Sequence, residues 1–297
     1  MITFLGLPER TAGIIRGKQI SNRLEGSEFL HSQNLQFAKN KICIFIRNHF
    51  QNSAAYYKSK GHIVGYDICD MHVAEAHQKN DKSPSVQKSC HDIYDFYIVN
   101  NTTTYNELIK VTNKPIFIVP HHTTNFDKIK IEIQEKVKNV GYIGLKDQFS
   151  RFEEVQEFLK KQQINFISAH PNSREECDEI YKSIDIGLIF LDENSTFPKE
   201  VLMALKKYKP NTKISNFQSY GIPVISVHYD SYKEFGKNAF VCVDNYDDMI
   251  KELKTLINDK EKRQNLSNEA YKISENLHIN NVIRLYQDLH DQIQGKK

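Results

Sequence analysis

The segment 209–225, KPNTKISNFQSYGIPVI, combines a basic loop, a short predicted helix and an apolar predicted strand. Thr212 and Lys213 fall at the start of the helix. Gly221 ends the helix, and Pro223 begins the strand. A helix N-terminus presents backbone N–H groups and partial positive charge, which suit a phosphate, and a lysine adds a full charge. We therefore predict that Thr212 and Lys213 bind a phosphate, although a helix, turn and strand with a chance lysine would need no ligand.

A second phosphate-binding candidate follows the predicted strand 140–143, where Gly144 and Lys146 stand in the sequence VGYIGLK. A glycine directly after a strand lets the backbone approach a diphosphate, and a lysine two residues later can pair with it. An ordinary strand-to-helix turn explains the glycine but leaves the lysine unexplained. We therefore predict a diphosphate contact at both residues.

A loop rich in small and basic residues follows the first predicted strand and contains Gly13, Arg16, Gly17 and Lys18. Two glycines that bracket basic residues favour a flexible, positively charged loop. Such a loop would contact a phosphate or an anionic acceptor. A solvated loop that binds nothing is the alternative interpretation.

Carboxylates and a histidine follow another predicted strand in residues 65–72, GYDICDMH. A carboxylate or imidazole beside a substrate hydroxyl can act as a general base, which contributes about 10²–10⁴-fold to a rate. Asp70 is our first candidate for this base, and His72 is the second. The alternative is that Asp67 caps the next element and His72 lies on the surface.

Three further histidines directly follow predicted strands, namely His121, His122 and His170. In a ligand-binding cleft, such side chains would bind a polar or anionic ligand. Single histidines at strand ends are more often structural, and that interpretation stays open for each of them.

Several motifs with known chemistry are absent from the sequence. It contains no GxGxxG after a strand, as a nicotinamide site would need, and no GxxxxGK[ST] phosphate-binding loop. It contains no Asp-x-Asp pair, which disfavours sugar transferases that hold a divalent ion on the diphosphate. The cysteines and histidines of residues 69–91 fit no common zinc spacing. We therefore expect neither a cofactor nor a bound metal.

Alternating strands and helices must position these candidates. Short apolar runs rich in β-branched residues predict buried strands, among them residues 42–47, 116–119, 186–191 and 222–227. Two pairs with capping-box spacing predict helix starts, Thr104 with Glu107 and Ser173 with Glu176. Strands that alternate with helices of this length form parallel sheets with crossover helices.

The pattern of strands and helices occurs twice, on either side of a polar, lysine-rich segment at 125–139. We predict an α/β fold with two Rossmann-like domains, residues 1–130 and 139–275, and a C-terminal helical tail, residues 276–297. Open α/β sheets bind ligands outside the carboxyl ends of their strands. Two such domains facing each other would therefore form a cleft lined by the candidate residues.

Composition and charge narrow the classes of protein. The 297 residues suit two modest domains, and no apolar run reaches the ~20 residues of a membrane-spanning helix. Residues 1–130 hold 16 Lys and Arg against 11 Asp and Glu, a net charge of +5, while residues 131–297 hold 24 against 26. The net charge of +3 does not indicate nucleic-acid binding. The basic first part fits an anionic acceptor or membrane surface, or ordinary charge scatter. Five scattered cysteines without CxxC spacing, and no recognisable signal peptide, favour the cytoplasm.

The segment 209–225 resembles the C-terminal domain of GT-B glycosyltransferases, especially those similar to glycosyltransferase family 4. That family reads K-x-x-x-apolar-x-G-x-P-V-I against its bound sugar nucleotide. VGYIG at 140–144 resembles the first strand and glycine turn of the same domain, and IDIGLIFL at 184–191 resembles a later strand. AGIIRGKQI at 12–20 resembles the glycine- and arginine-containing loop and helix after the first strand of the N-terminal domain.

The resemblance implies a GT-B arrangement in which the first domain binds an acceptor and the second binds a nucleotide-diphosphate sugar. The C-terminal helix would pack back on the first domain. Many family-4 enzymes carry Glu-x7-Glu, whereas the matching positions here hold Tyr208 and Asn216. The resemblance therefore does not establish the retaining mechanism usual for that motif, and the retaining and inverting outcomes both stay open. Asn216 remains a donor-binding candidate because its amide can bond a ribose or sugar hydroxyl.

On this resemblance we predict a metal-independent glycosyltransferase of glycan or polysaccharide synthesis, which moves a sugar to an acceptor hydroxyl. The acceptor would be a glycan, a lipid-linked molecule or a protein, and the enzyme could touch a membrane peripherally. The donor-binding candidates are Gly144, Lys146, His170, Thr212, Lys213 and Asn216. A sugar-nucleotide epimerase of the same fold, or a non-catalytic GT-B-like binding subunit, remains an alternative.

Overall fold

The computed structural model describes residues 1–47, 50–69, 92–171, 173–236 and 238–295. The chain divides into two compact units. The first unit contains Met1–His122, Lys207–Pro210 and Ile279–Lys297. The second unit contains Thr123–Lys206 and Asn211–His278. The C-terminal segment is thus counted with the first unit.

Strands in both units are short and parallel. In the described residues and in chain order, they are β1 (Ile2–Gly6), β2 (Glu28–His31), β3 (Ile42–Ile46), β4 (Ile63–Asp67), β5 (Phe96–Val99), β6 (Ile116–Ile118), β7 (Asn139–Ile143), β8 (Asn165–Ala169), β9 (Ile186–Ile189), β10 (Val224–Val227) and β11 (Val241–Val243).

Helices occupy most of the connections between strands. In the described residues they are α1 (Gln19–Ser21), α2 (Gln51–Ser59), α3 (Thr102–Leu108), α4 (Phe152–Lys161), α5 (Arg174–Lys182), α6 (Lys199–Tyr208), α7 (Thr212–Ser219), α8 (Tyr246–Asn258), α9 (Lys260–Ser274) and α10 (Ile279–Ile293). A π-helical segment, Gly13–Lys18, precedes α1, and 3-10 turns form at Lys146–Gln148, Asp230–Phe235 and Glu275–Leu277.

Each unit contains one parallel sheet. Within the described residues, the first sheet has the order β2-β1-β3-β4-β5-β6 and the second has the order β11-β10-β9-β7-β8. The central strands β3 and β9 are buried along their whole length, as expected for parallel strands covered on both faces. The prediction of an α/β fold with two Rossmann-like units is therefore confirmed.

The order of each sheet reverses once. In the second sheet, β7 lies between β8 and β9, so the chain moves outward in one direction through β8 and in the other through β9. The first sheet reverses in the same way between β1 and β3. Open α/β sheets bind ligands at such reversals, outside the carboxyl ends of the two strands. The reversals thus define where a site is expected in each unit.

Three local expectations were incomplete or wrong. The edge strand β2 was not predicted because its sequence, EFLH, is short and half-buried. The helix α6 was not predicted at all. The helix cap predicted at Thr104 lies three residues earlier, because the Asn101 side chain caps α3 by accepting a hydrogen bond of 2.7 Å from Thr104 N.

The last helix of the chain, α10, buries one of its faces. Buried residues of α10 recur at positions 279, 282, 283, 286 and 289, which places them on one face. The opposite face is polar, and charged residues interrupt the apolar pattern. Among the described residues, no helix is long and apolar enough to cross a membrane.

The predicted cap at Ser173 is present, since its side chain accepts a hydrogen bond of 3.1 Å from Glu176 N at the start of α5. Replacing Ser173 with alanine should lower the free energy of unfolding by about 1 kcal/mol, because a helix N–H loses its partner. Urea titration followed by far-UV circular dichroism measures this, since the sequence contains no tryptophan. Ser183→Ala, at the other end of α5, is the control, and an equal loss there would contradict the capping role.

Candidate active site

The candidate active site of the second unit lies at the carboxyl ends of β7 and β9, where the sheet order reverses. Gly144 directly follows β7, and the first turn of α7 carries Lys213. These residues are 69 positions apart in sequence, and the fold brings their atoms into contact distance.

Gly144 is required by both its backbone and its surroundings. Its φ angle is +149°, a conformation that residues with a side chain rarely adopt. A Cβ at this position would lie 2.4 Å from Lys213 Nζ and 2.7 Å from the Tyr142 hydroxyl. The Gly144 N–H donates to Ala169 O at 2.8 Å, so the glycine supplies space rather than a free amide.

Lys213 is held by Tyr142. Its Nζ donates a hydrogen bond of 2.5 Å to the Tyr142 hydroxyl and lies 4.3 Å from the centroid of the same ring. Tyr142 is buried within β7, and its hydroxyl donates to Leu145 O at 2.9 Å. Burial raises the pKa of Tyr142 above its ordinary value, so the phenol stays neutral. Sequence analysis did not single out Tyr142, although it stands two residues before the glycine.

The helix start at α7 matches the prediction for Thr212 and Lys213. Asn211 occupies the N-cap position, and its side-chain amide donates to Ser215 Oγ at 3.2 Å instead of accepting from a helix N–H. The first turn of α7 contains no acidic residue. The positive end of the helix therefore adds to the Lys213 charge at this corner of the sheet.

Lys146 and His170 lie near the same strand ends but do not share this arrangement. Lys146 is exposed, pairs with Glu153 at 2.8 Å and lies 4.2 Å from the Phe152 ring centroid. His170 is exposed directly after β8. The structure therefore groups Gly144 with Lys213 and directs Lys146 toward the start of α4.

The side chain of Asn216 is hydrogen-bonded to a backbone amide. It is buried on α7, and its Oδ1 accepts a hydrogen bond of 2.9 Å from Thr124 N. This bond ties the segment before β7 to the helix within the second unit. Its carbonyl oxygen already has a partner, so the structure gives Asn216 a clear packing role at the position where many family-4 enzymes carry a glutamate.

The loop predicted between Gly13 and Lys18 is a π-helical segment, and the prediction of a flexible, positively charged loop is wrong for Arg16. Arg16 is only 2% exposed, and its Nε lies 2.5 Å from Oδ2 of the fully buried Asp67. Its NH2 group donates to Val119 O at 2.9 Å. Burial would lower the pKa of Arg16, but the Asp67 carboxylate raises it above its ordinary value, so the guanidinium stays charged.

The two glycines of this segment are explained by packing. A Cβ at Gly13 would lie 2.2 Å from Leu7 O, and one at Gly17 would lie 2.5 Å from the Phe29 ring. Lys18 is exposed at the end of the segment. Close packing against β1 and β2, rather than flexibility, therefore accounts for both glycines.

His121 and His122 are buried in the first unit rather than exposed in a loop. His121 Nε2 lies 3.5 Å from Cys69 Sγ, and His122 Nε2 lies 2.9 Å from Ile15 O. Burial lowers the pKa of His121 well below its ordinary value, so this imidazole is neutral near pH 7. Their contacts fit structural roles.

Asp70 and His72, the candidates for the general base, lie outside the described residues, as do His77, Cys90 and His91. Among the residues that the structure describes, no three His, Cys, Asp or Glu side chains are grouped so as to hold a metal ion. The candidate site therefore rests on the second unit.

The sequence matches no protein-family model and no curated protein. Solved structures do match its fold. Anabaena HepE in complex with UDP is 10% identical, with a TM-score of 0.65 and 99% of both chains covered. The HepE complex with UDP-glucose gives 9% identity, a TM-score of 0.64 and 99% coverage of both chains.

Sucrose-phosphate synthase from Thermosynechococcus elongatus is also similar in structure. It is 9% identical, with a TM-score of 0.58, and the match covers 100% of this chain and 99% of that one. Trehalose-6-phosphate synthase gives 10% identity, a TM-score of 0.50 and coverage of 86% and 74%. The chain therefore has the GT-B fold, as the sequence resemblance predicted.

Proposed function

We propose that the protein is a glycosyltransferase that moves a sugar from a nucleotide-diphosphate sugar to an acceptor hydroxyl. The observation that carries this proposal is the contact of the Lys213 ammonium with Tyr142 beside Gly144, at the sheet reversal of the second unit. The structures of HepE with UDP and with UDP-glucose support a nucleotide-sugar donor, because they share this fold.

The chemical task of the site is to stabilise charge on the leaving diphosphate. The glycosidic bond breaks as the nucleotide diphosphate departs, and negative charge grows on its oxygens. A preorganised ammonium and a helix N-terminus aimed at that position stabilise the transition state more than the ground state. Lys213 and the first turn of α7 supply these groups.

The first unit is proposed to bind the acceptor, which would be a glycan, a lipid-linked molecule or a protein. Asp70 stays the first candidate for the base that deprotonates the acceptor hydroxyl, and His72 the second. Arg16 is excluded from direct donor binding in this proposal because its guanidinium is paired with Asp67. A cytoplasmic location and a peripheral membrane contact belong to the same proposal.

A panel of nucleotide sugars tests the function directly. The protein is incubated with UDP-, GDP-, ADP- and dTDP-sugars, and release of free nucleoside diphosphate is measured beside the thermal shift that each nucleotide causes. We expect one donor to give turnover and its nucleoside diphosphate to raise the melting temperature. The absence of both effects with every donor would reject the proposal.

Metal independence is a separate prediction. Because Lys213 and the α7 N-terminus would stabilise the leaving diphosphate, excess EDTA should change kcat by less than about twofold. A catalytic metal supplies several kcal/mol of transition-state stabilisation, so its removal would lower kcat far more. Donor turnover is measured after dialysis against EDTA, with and without added Mg²⁺ or Mn²⁺. Loss of activity that returns with Mn²⁺ would show that a divalent ion takes part.

A nucleotide-binding subunit without turnover is the second candidate function. It is favoured by Asn216, which replaces a family carboxylate and already accepts a hydrogen bond from Thr124 N. The same panel separates the two candidates, since such a subunit would show a thermal shift with a nucleotide but no release of nucleoside diphosphate from any sugar.

A further inference from the structure

The Tyr142 hydroxyl has a fixed orientation. A phenol has one hydrogen to donate, and that of Tyr142 goes to Leu145 O at 2.9 Å. Its oxygen lone pairs then face Lys213 Nζ, which donates to the oxygen at 2.5 Å. The backbone turn after β7 therefore fixes the direction of the hydroxyl hydrogen, and the hydroxyl oxygen fixes the position of the ammonium.

The ring of Tyr142 restrains the same ammonium. Lys213 Nζ lies 4.3 Å from the ring centroid, within the range of a cation–π contact. The ring itself is fixed, because it is buried and packs against Phe149 with centroids 4.8 Å apart. A lysine has a long, flexible stem, and one tyrosine here restricts it before any ligand arrives.

Tyr142 positions the lysine without neutralising its charge. Its phenol is protonated, and burial raises its pKa further, so the Lys213 charge is not cancelled by a phenolate. A carboxylate in the same place would form an ion pair and compete with a bound anion. A neutral acceptor is therefore suited to hold a cation that must also meet a phosphate.

We propose that Tyr142 is a positioning residue that holds the Lys213 ammonium beside Gly144 for the diphosphate of the donor. This inference rests on the proposed function. Tyr142 would act through Lys213 and not touch the sugar. Preorganisation of this kind raises affinity because less freedom is lost when the ligand binds.

The test is the binding of UDP and of uridine to Tyr142→Phe, measured by isothermal titration calorimetry on the full chain. Phenylalanine keeps the buried ring and removes only the hydroxyl. Loss of one hydrogen bond to a charged group should raise the Kd for UDP about 5–15-fold and leave the Kd for uridine within about twofold. Uridine lacks the phosphates and therefore reports on the rest of the site.

A matched control is Tyr271→Phe. Tyr271 lies in the same unit, and its hydroxyl likewise donates to a backbone carbonyl, Lys128 O, at 2.7 Å. This variant should bind UDP as the wild type does. Lys213→Arg is the second variant, because it leaves the core ring intact and keeps the charge but moves it away from the hydroxyl. It should weaken UDP binding as well.

A double-mutant cycle distinguishes positioning from a general structural effect. In a Lys213→Ala background, Tyr142→Phe should cause no further loss of UDP affinity, because the group that it positions is gone. Additive losses, or equal losses for UDP and uridine, would overturn the positioning role while leaving the proposed function in place. A wild-type protein that binds no nucleotide would instead reject the proposed function, and the positioning role with it.

Discussion

Replacing Lys213 with alanine should lower kcat/KM for the accepted donor about 10²–10³-fold, the usual effect of removing one preorganised charge-stabilising donor. The effect is large because the ammonium is fixed by Tyr142 in the first turn of α7, where the leaving diphosphate is proposed to lie. Both kcat and the affinity for the nucleoside diphosphate should fall. Release of nucleoside diphosphate at varied donor concentrations measures kcat and KM, and isothermal titration calorimetry measures the affinity for the nucleoside diphosphate.

Removal of a lysine elsewhere in the second unit is the control. Lys161 is exposed at the end of α4, pairs with Glu157 at 2.8 Å and precedes the amino end of β8, whereas the site lies at the carboxyl ends of the strands. Lys161→Ala removes the same charge and should leave kcat/KM within about twofold, as for other surface substitutions. If Lys213→Ala kept kcat/KM within threefold of the wild type, the proposed phosphate contact would be rejected.

Elements with strong local signals were predicted from the sequence. Ile42–Ile46 and Ile186–Ile189 are buried strands because parallel strands need apolar residues on both faces. Ser173 caps α5 because a serine hydroxyl can reach a helix N–H from that position. The cap of α3 was predicted at Thr104, but Asn101, three residues earlier, forms it by accepting a hydrogen bond from the Thr104 N–H. Competing caps a few residues apart are decided by backbone geometry, which spacing does not encode.

The candidate site was predicted only in part. Gly144 and Lys213 stand in local patterns, a glycine after a strand and a lysine at a helix start, and each could be identified alone. Their contact through Tyr142 joins side chains 71 residues apart and depends on how α7 packs on β9 and β10, next to β7. An aromatic residue in an apolar strand is normally core, so the sequence carries no sign of a hydroxyl that binds a lysine.

Arg16 was predicted to be exposed, and it is buried. A basic residue between two glycines suggests an exposed loop, but here Asp67, 51 residues later, provides a buried partner. Burial of an arginine is decided by whether the fold supplies a carboxylate and backbone oxygens for it. That information lies at the ends of β4 and β6, and no local pattern near Arg16 contains it.

Arg16→Ala should lower the free energy of unfolding by about 3–5 kcal/mol, since removing one partner of a buried ion pair leaves the other charge buried and unpaired. Asp67 is fully buried and would lose its guanidinium. Urea titration followed by far-UV circular dichroism measures the loss, and hydrogen exchange should show it in β1 and β4. Lys58→Ala, which breaks the half-exposed pair with Asp95 in the same unit, is the control and should lose at most about 1 kcal/mol.

Replacing both charged residues tests whether Arg16→Ala loses stability because the buried Asp67 carboxylate is unpaired or because another contact of Arg16 is lost. Arg16→Met combined with Asp67→Leu leaves no buried charge, and apolar replacement of buried ion pairs is often neutral or stabilising. The double variant should therefore recover most of the stability that Arg16→Ala loses, and it should still bind nucleotide, because Lys213 is untouched. Stability as low as that of Arg16→Ala would mean that the bond to Val119 O, not the charge of Asp67, makes Arg16 necessary. If the double variant recovered its stability but lost nucleotide binding, Arg16 would be assigned to the binding of the donor phosphate, as its sequence context predicts.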